Sequence, residues 1–323
     1  WRSSLRQLWR NRPAMAALFV FLAVVIVCLL APVYAHDIAH VNPFVSNVNG
    51  KIRLNGKTVA ILQQSTQGLG LGVTPIGPTW DFSHYFLGAD NQGRDVFARL
   101  LYGGRTSLLI GSSAAVICCA AAAVLGVVAG YFGGVVDWVL SRIFDIVWAF
   151  PIYLLAISLA VVLFTSGLQL GPLHFGPGSL MIPILIIALI YVPYVARPLR
   201  GIVISLRERE FIQSAIGSGA SDARILIKEI LPNVAPSIIV FLPLMVAFDM
   251  LTESALSFLG VGVQPPAASW GTIINDGLGL LYTRPAVAMA PGAMLVIAAI
   301  SLNILGDGAR DAFDPKAKLR GSI

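Results

Sequence analysis

Six long apolar segments constrain the fold of this chain more than any other feature of its sequence. They cover residues 14–34, 104–130, 138–164, 179–198, 234–258 and 286–305. Each is long enough to cross the hydrocarbon core of a bilayer as a helix, which takes about 20 residues. The first is longer than the core of a signal peptide and has no convincing cleavage site after it, so we expect it to be retained. The sequence therefore predicts an all-α integral membrane protein with six transmembrane helices.

The composition agrees with a membrane protein. The chain has 323 residues, of which 57% are hydrophobic and only 12% are charged, whereas soluble domains carry about 25% charged residues. The net charge of +6 is not arranged as a basic patch with interleaved aromatic residues, so we expect no nucleic-acid partner. The three cysteines all lie in apolar segments and are expected to pack as small hydrophobes. Because the first residue is Trp1 rather than Met, further residues are expected before it.

The distribution of Lys and Arg predicts how the chain is oriented. The cations lie in three clusters: Arg2, Arg6, Arg10 and Arg12; Arg197, Arg200, Arg207, Arg209, Arg224 and Lys228; and Arg310, Lys316, Lys318 and Arg320. Together with Arg142 these are 15 of the 22 Lys and Arg residues. Cations are preferentially retained on the cytoplasmic side of a membrane, and long loops translocate largely regardless of their charge. We therefore expect both termini in the cytoplasm.

A long outer loop is expected between the first two helices, over residues 36–103. Within it, "GKIRLNGKTVAIL" alternates apolar and polar residues around Asn55-Gly56. This pattern predicts a β-hairpin over residues 51–62 with a type I′ turn, because both turn positions need a positive φ. The hairpin could be a small exposed element, or it could be a contact surface or lid outside the membrane.

Catalytic and metal-binding motifs are missing from the sequence. HExxH, GxSxG and GxxxxGK[ST] do not occur, so we expect a non-catalytic chain that does not itself hydrolyse ATP. His36 and His40 are four residues apart, and helical spacing would place both rings on one face as candidate ligands of a divalent metal. Two ligands without a clear third are more typical of solvated histidines, so we expect no metal site.

Three carboxylates lie in or at the edge of apolar segments: Asp145, Asp249 and Glu253. Acidic residues inside a membrane are costly and suggest a function by default. Asp249 and Glu253 are four residues apart and would share a helix face, as a proton relay in a secondary transporter would require. Alternatively they pair with polar groups or line a water-filled path. Asp145 could form a local ion pair with Arg142.

A polar segment separates the fourth and fifth apolar segments. "LREREFIQSAIGSGASDARILIKEILPNVAPS" predicts a helix, a break at Gly217–Gly219, and a second helix that ends at Pro232. Each helix has an apolar face, formed by Phe211, Ile212, Ala215 and Ile216 in the first and by Ile225, Leu226 and Ile230 in the second. Amphipathic helices outside the membrane must cover such faces, so the sequence predicts a cytoplasmic protein partner.

The same segment resembles the "EAA" loop of the membrane subunits of ATP-binding-cassette importers. That loop reads EAA, three residues, Gly, nine residues, Ile, any residue, Leu-Pro. The positions of this chain that match or replace it, and that the resemblance assigns to ATPase coupling, are Gln213, Ser214, Ala215, Gly219, Glu229, Leu231 and Pro232. The chain departs from the pattern at Gln213, Ser214 and Glu229.

Further segments narrow the resemblance to the dipeptide, oligopeptide and nickel permease branch. They are "LWRNRPAMAALFVF", "LGADNQGRDVFARLLYGGRTSL" (87–108), "ESALSFLGVGVQPPAASWG" (253–271) and "NILGDGARDAFDP" (303–315). The chain is similar to the second, C-type member of the paired permeases. The resemblance implies a multi-pass subunit of the bacterial inner membrane that forms half of a pathway for peptides or similar small ligands. The implied partners are a homologous permease, two cytoplasmic ATPases that bind ATP and Mg²⁺, and an extracytoplasmic binding protein; no cofactor is implied on this chain.

These inferences give a linear organisation for the chain. Residues 1–35 would be the cytoplasmic N-terminus and first helix, 36–103 the outer loop, 104–310 the permease core with its coupling segment at 205–233, and 311–323 a cytoplasmic tail. Two alternatives stay open at this point. One is a proton-coupled secondary transporter that uses Asp249 and Glu253, and the other is a non-transporting membrane scaffold or receptor.

Overall fold

The computed structural model describes residues 2–54, 56–64 and 72–313, and α-helices dominate it. The helices are α1 (Arg2–Arg10), α2 (Arg12–Leu29), α3 (Val96–Phe132), α4 (Gly134–Ala149), α5 (Ile152–Ser166), α6 (Met181–Arg207), α7 (Glu210–Gly217), α8 (Asp222–Phe258), α9 (Trp270–Gly277) and α10 (Ala286–Phe313). Short helical turns at Ala31–Val33 and Tyr34–Ile38 follow α2. Most of the predicted tail 311–323, including Lys316, Lys318 and Arg320, lies outside the described residues.

Five of these helices, α2, α3, α6, α8 and α10, are long and apolar enough to cross a membrane. The helices α4 and α5 together would form a sixth span, but they are bent by 89° at their junction. The sequence predicted a helix through residues 138–164, and this prediction was wrong at Phe150–Pro151. Phe150 is extended, with φ −95° and ψ 142°, because a proline disfavours the helical conformation of the residue before it.

Six short strands form three antiparallel pairs in the described part of the chain. They are β1 (Lys51–Leu54) with β2 (Lys57–Ala60), β3 (Leu62–Gln64) with β4 (Val73–Pro75), and β5 (Leu168–Leu170) with β6 (Leu173–Phe175). In the first pair Leu54 lies opposite Lys57, and Gly56 has a φ of +77° in the turn. Asn55, the other predicted turn residue, lies outside the described residues.

The chain divides into two compact units. The first contains residues 1–19, 111–249 and 299–323, and the second contains residues 20–110 and 250–298. In the first unit α3 packs closely against α6 at two glycines. A Cβ at Gly126 would lie 2.7 Å from the Ala196 carbonyl oxygen, and a Cβ at Gly130 would lie 2.7 Å from the Val203 Cβ. Small residues at such positions let two helices approach closely.

The start of α3 in the second unit is fixed by a buried aspartate. The carboxylate of Asp95 accepts hydrogen bonds from the backbone N–H of Ala98 (2.8 Å) and of Tyr85 (2.6 Å). The first bond satisfies an N–H group that has no partner within the helix. Burial raises the pKa of Asp95 to about 6, although the backbone N–H bonds act in the opposite direction.

An ion cluster in the second unit joins this region to α9. Arg94 contacts Asp90 through Nε (2.7 Å) and Asp276 through Nη2 (2.9 Å). The Nη2 of Arg99 lies 2.8 Å from the same Asp276 carboxylate. Both arginines and Asp90 are buried, and removing one partner from such a cluster leaves an uncompensated buried charge.

Candidate coupling segment and intramembrane carboxylates

The predicted break between two helices is a tight turn whose backbone conformation favours glycine. After α7 the N–H of Gly219 donates to the carbonyl of Ile216 (2.9 Å), and the N–H of Ala220 donates to that of Ala215 (3.1 Å). These bonds form a Schellman motif, whose C′ residue adopts the left-handed conformation. Gly219 has a φ of +75°, which costs a residue with a Cβ roughly 1–2 kcal/mol.

The second helix differs from the prediction that it ends at Pro232. Instead α8 runs without a break from Asp222 to Phe258, so the prediction was wrong at this point. A π-helical turn (Ile225–Ile230) ends two residues before the proline. Such a turn is one of the local adjustments by which a helix accommodates a residue that lacks an N–H. The segment and the following membrane helix are therefore one continuous element.

The apolar faces of the two helices are partly covered by the chain itself. Ile212, Ile225 and Ile230 are fully buried, so they do not need a partner, and the sequence argument was wrong for these three. Phe211 and Ile216 remain exposed, with exposed fractions of 43% and 44%. The surface that still requires cover is thus on one side of α7.

The residues that align with the EAA pattern lie on both sides of the turn. Gln213 and Ser214 are exposed on α7, and the Gln213 amide donates to the backbone carbonyl of Arg207 (2.9 Å). Gly219 is exposed in the turn, whereas Ala215 and Glu229 are half-buried. Leu231 and Pro232 are exposed on α8.

One contact of the coupling segment was missed by the sequence analysis. The hydroxyl of Tyr131, at the end of α3, donates to Oδ1 of Asp222 at 2.7 Å. The two residues are 91 positions apart and neither belongs to the motif, so no sequence signal pointed to the pair. Asp222 is the first residue of α8, and the bond therefore ties the start of that helix to α3.

Two ion pairs bind α4 to α6 in the first unit. The guanidinium of Arg200 donates to both carboxylate oxygens of Asp137, with 2.5 Å between Nη2 and Oδ2. Asp145 contacts Arg142 (3.0 Å) and Arg197 (2.7 Å). The Arg197 guanidinium also lies 4.7 Å from the centroid of a tryptophan ring in α4. Asp145 is exposed and paired, as the local alternative in the sequence analysis expected.

Glu253 lies in a closed hydrogen-bond network in the second unit. Its carboxylate accepts from the hydroxyls of Ser107 (2.7 Å) and Ser257 (2.7 Å), and more weakly from Ser254 (3.3 Å). The Ser107 oxygen in turn accepts from the backbone N–H of Trp270 at 3.1 Å. The carboxylate is fully buried and connects α3, α8 and α9.

Asp249, unlike Glu253, is not part of a hydrogen-bond network among the described residues. Asp249 is also fully buried, but neither carboxylate oxygen has a hydrogen-bond partner in the described part of the chain.

His36 contacts Asp37 (2.6 Å). The helical turn ends at Ile38 and His40 has a φ of +50°. The helical spacing that would have put both rings on one face is therefore not formed.

Comparisons with known proteins agree with these features. Residues 122–319 match the family described as the binding-protein-dependent transport system inner membrane component, and residues 1–49 match the N-terminal TM domain of oligopeptide transport permease C. The chain is 35% identical to the dipeptide transport system permease protein DppC of Alkalihalophilus pseudofirmus, over 98% of this chain and 90% of that relative. It is 36% identical to the glutathione transport system permease protein GsiD of Pectobacterium atrosepticum, over 73% of this chain and 74% of that relative.

A solved structure shares the fold. An inward-facing form of the MetNI methionine ABC transporter gives a TM-score of 0.51 at 18% identity, covering 67% of this chain and 96% of that chain. At this level of identity the likeness concerns the fold alone.

Proposed function

Because this chain belongs to the family of binding-protein-dependent transport system inner membrane components, we propose that it forms one half of a translocation pathway for small peptides. It is a permease subunit of an ATP-binding-cassette importer. A peptide substrate is supported by the two relatives whose names refer to dipeptides and to glutathione, itself a short peptide.

The proposed assembly contains three kinds of protein partner. A homologous second permease completes the pathway, two cytoplasmic ATPases bind ATP and Mg²⁺, and an extracytoplasmic binding protein delivers the substrate. The chain itself carries no catalytic group for ATP hydrolysis in this proposal. The bacterial inner membrane is the proposed location, as the family description indicates.

We propose that both termini face the cytoplasm and that the coupling segment lies on the same side. The clusters of Lys and Arg support this orientation. The helix α3 has 37 residues and extends about 55 Å, so part of it lies outside a hydrocarbon core of about 30 Å. Its far end carries Tyr131, which is hydrogen-bonded to Asp222, so the projecting end of α3 and the coupling segment share one side.

The continuity of α8 is the observation that carries the proposed coupling. An ATPase that contacts the exposed side of α7, at Phe211 and Ile216, would act on a turn fixed by Gly219. Because no break separates this turn from the membrane helix, a displacement of the segment moves the whole of α8. A flexible connector at Pro232 would have absorbed the same displacement.

The experiment that tests the function is purification followed by reconstitution. The tagged chain is purified in mild detergent and its companions are identified by mass spectrometry. The complex is then placed in proteoliposomes with its binding protein, and uptake of labelled dipeptides and of glutathione is measured with and without ATP. We expect co-purified ATPases and uptake that requires ATP. Uptake driven by a pH gradient alone would instead favour a proton-coupled carrier, and binding without uptake would favour a scaffold.

A further inference from the structure

A tight turn over residues 79–86 presents aromatic side chains on the outside of the second unit. The Thr79 hydroxyl donates to the carbonyl of His84 (2.8 Å) and accepts from the N–H of Asp81 (3.2 Å). The Asp81 carboxylate accepts from the N–H of Ser83 (2.9 Å). Trp80 has a φ of +57°, a conformation that is uncommon for a bulky residue and usually has a local reason. The turn thus holds its aromatic residues in a fixed arrangement.

The exposed rings of this turn are continuous with the ends of two membrane helices. The ring of Phe82 stacks on that of Phe86, with centroids 4.1 Å apart, and Trp80 packs edge-on against Phe86. Phe86 contacts Phe97 of α3 at 5.2 Å, and Phe97 contacts Tyr34, beyond the end of α2, at 4.8 Å. Trp80 is 70% exposed and Phe82 is 55% exposed, so the outer part of the row is uncovered.

The position of Tyr34 indicates the depth of this row in the membrane. Tyr34 is the last residue of the apolar segment 14–34, which follows Arg12 and whose 21 residues would extend about 32 Å as a helix, at 1.5 Å per residue. The hydrocarbon core is about 30 Å thick. With Arg12 at one surface of the bilayer, Tyr34 and the rings that contact it lie at the opposite surface.

The exposed side chains of α2 after Arg12, and of the helical turn that follows this helix, are apolar as far as the residue before Tyr34. Ile26, Leu29 and Val33 are exposed, as expected for side chains that face lipid tails. Trp and Tyr are enriched where a bilayer meets water, because their rings are apolar and one end is polar. We propose that Trp80 and Phe82 insert into the headgroup region of the outer leaflet and anchor the outer segment (residues 79–95) to the lipid surface beside α2 and α3.

This anchor would restrict the outer segment, which the buried Asp95 and the ion cluster around Arg94 also attach to α3 and α9. The segment would therefore move with the membrane helices rather than independently of them. The proposal concerns the lipid contact of the turn and does not depend on the identity of the transported substrate.

Quenching of Trp80 fluorescence in a bilayer tests the proposal. The full chain and its Trp80→Phe variant are reconstituted in vesicles of phosphatidylethanolamine and phosphatidylglycerol, and the difference between their emission spectra isolates Trp80. We expect this difference to be blue-shifted, strongly quenched by lipids brominated near the headgroup, and weakly quenched by aqueous acrylamide. Trp9 is also exposed but lies in the N-terminal helix α1. The Trp9→Phe variant is therefore the matched control, because its difference spectrum isolates a tryptophan outside the aromatic turn.

Two results would overturn the lipid contact. One is a red-shifted Trp80 emission that acrylamide quenches and brominated lipid does not. The other is the same emission becoming shielded only when the binding protein is added, which would make the row a protein-docking surface. Phe82→Ala, which leaves the polar bonds of the turn in place, should shift Trp80 toward greater acrylamide quenching if both rings share the anchor, and an unchanged spectrum would argue against it.

Discussion

The coupling assignment is tested most directly at Gly219, where three substitutions separate strain inside the chain from obstruction outside it. Gly219 has a φ of +75°, and a Cβ added there would meet no other atom within 4 Å. Gly219→Ala and Gly219→Trp should therefore carry the same backbone cost, roughly 1–2 kcal/mol. Gly219→Asn should cost less, because Asn tolerates the left-handed conformation.

The difference in uptake between the Gly219→Ala and Gly219→Trp variants then tests whether another protein is seated against the turn. The strain shared by both variants corresponds to about a fivefold to thirtyfold change in the population of the native turn. A Cβ at this position points into open space, so we expect the Trp ring to find room within this chain. On a surface that seats an ATPase, however, it would separate the two proteins. We expect partial uptake with Ala, nearly normal uptake with Asn and no uptake with Trp.

The assay measures ATP-driven uptake in proteoliposomes, together with the amount of variant in the membrane and of ATPase that co-purifies with it. We expect Gly219→Trp to reach the membrane at the level of Gly219→Ala but to lose the ATPase. If Trp and Ala support equal uptake at equal membrane levels, no protein is seated against this turn and the coupling assignment is refuted.

Five other substitutions test separate parts of the structure. Tyr131→Phe removes one hydrogen bond to the first residue of α8, worth about 0.5–1.5 kcal/mol, and should lower uptake per ATP hydrolysed by roughly two- to tenfold with membrane levels unchanged. Glu253→Gln replaces an accepting oxygen with an amide NH₂ group, loses hydrogen bonds worth about 0.5–1.5 kcal/mol each and should lower the thermal unfolding temperature in detergent. Asp249→Asn, at a buried carboxyl group without a hydrogen-bond partner among the described residues, should leave this temperature equal or higher. Gly130→Leu should prevent the close packing of α3 on α6 and reduce the folded protein recovered by size-exclusion chromatography. Since burial raises the pKa of Asp95 from 3.8 to about 6, the folded state binds the proton more tightly than the unfolded state; thermal stability should fall as the pH rises between these values and level off above them, and Asp95→Asn should remove this dependence.

The membrane helices could be predicted from the sequence because hydropathy and length are local properties, but the effect of each proline could not. Pro193 lies within α6 and Pro236 within α8, and both helices continue through them. At Pro151 the chain instead turns by 89° between α4 and α5. The residue type is the same in all three cases. The outcome depends on whether neighbouring groups and local π-helical adjustments satisfy the freed carbonyls, which a single sequence does not reveal.

The coupling segment illustrates a second limit. The glycine of its turn was found from sequence spacing, because a conformation with positive φ selects for that residue. The burial of Ile212 and the bond between Tyr131 and Asp222 were not found, since both depend on contacts between residues far apart in the chain. Periodicity indicates that a helix has an apolar face, but it does not indicate whether the same chain or another protein covers that face.

The two buried carboxylates of α8 also acquire different roles once their surroundings are known. A proton carrier needs a carboxyl group that can exchange its proton with water during each cycle. Glu253 is fully buried and accepts hydrogen bonds from three serine hydroxyls, so its carboxylate oxygens are already hydrogen-bonded within the protein. It lies 31 residues after Asp222 on the same helix, about 46 Å along its axis. This distance places it toward the end of α8 that is remote from the coupling segment. We infer that Glu253 has a structural role and ties this part of α8 to α3 and α9.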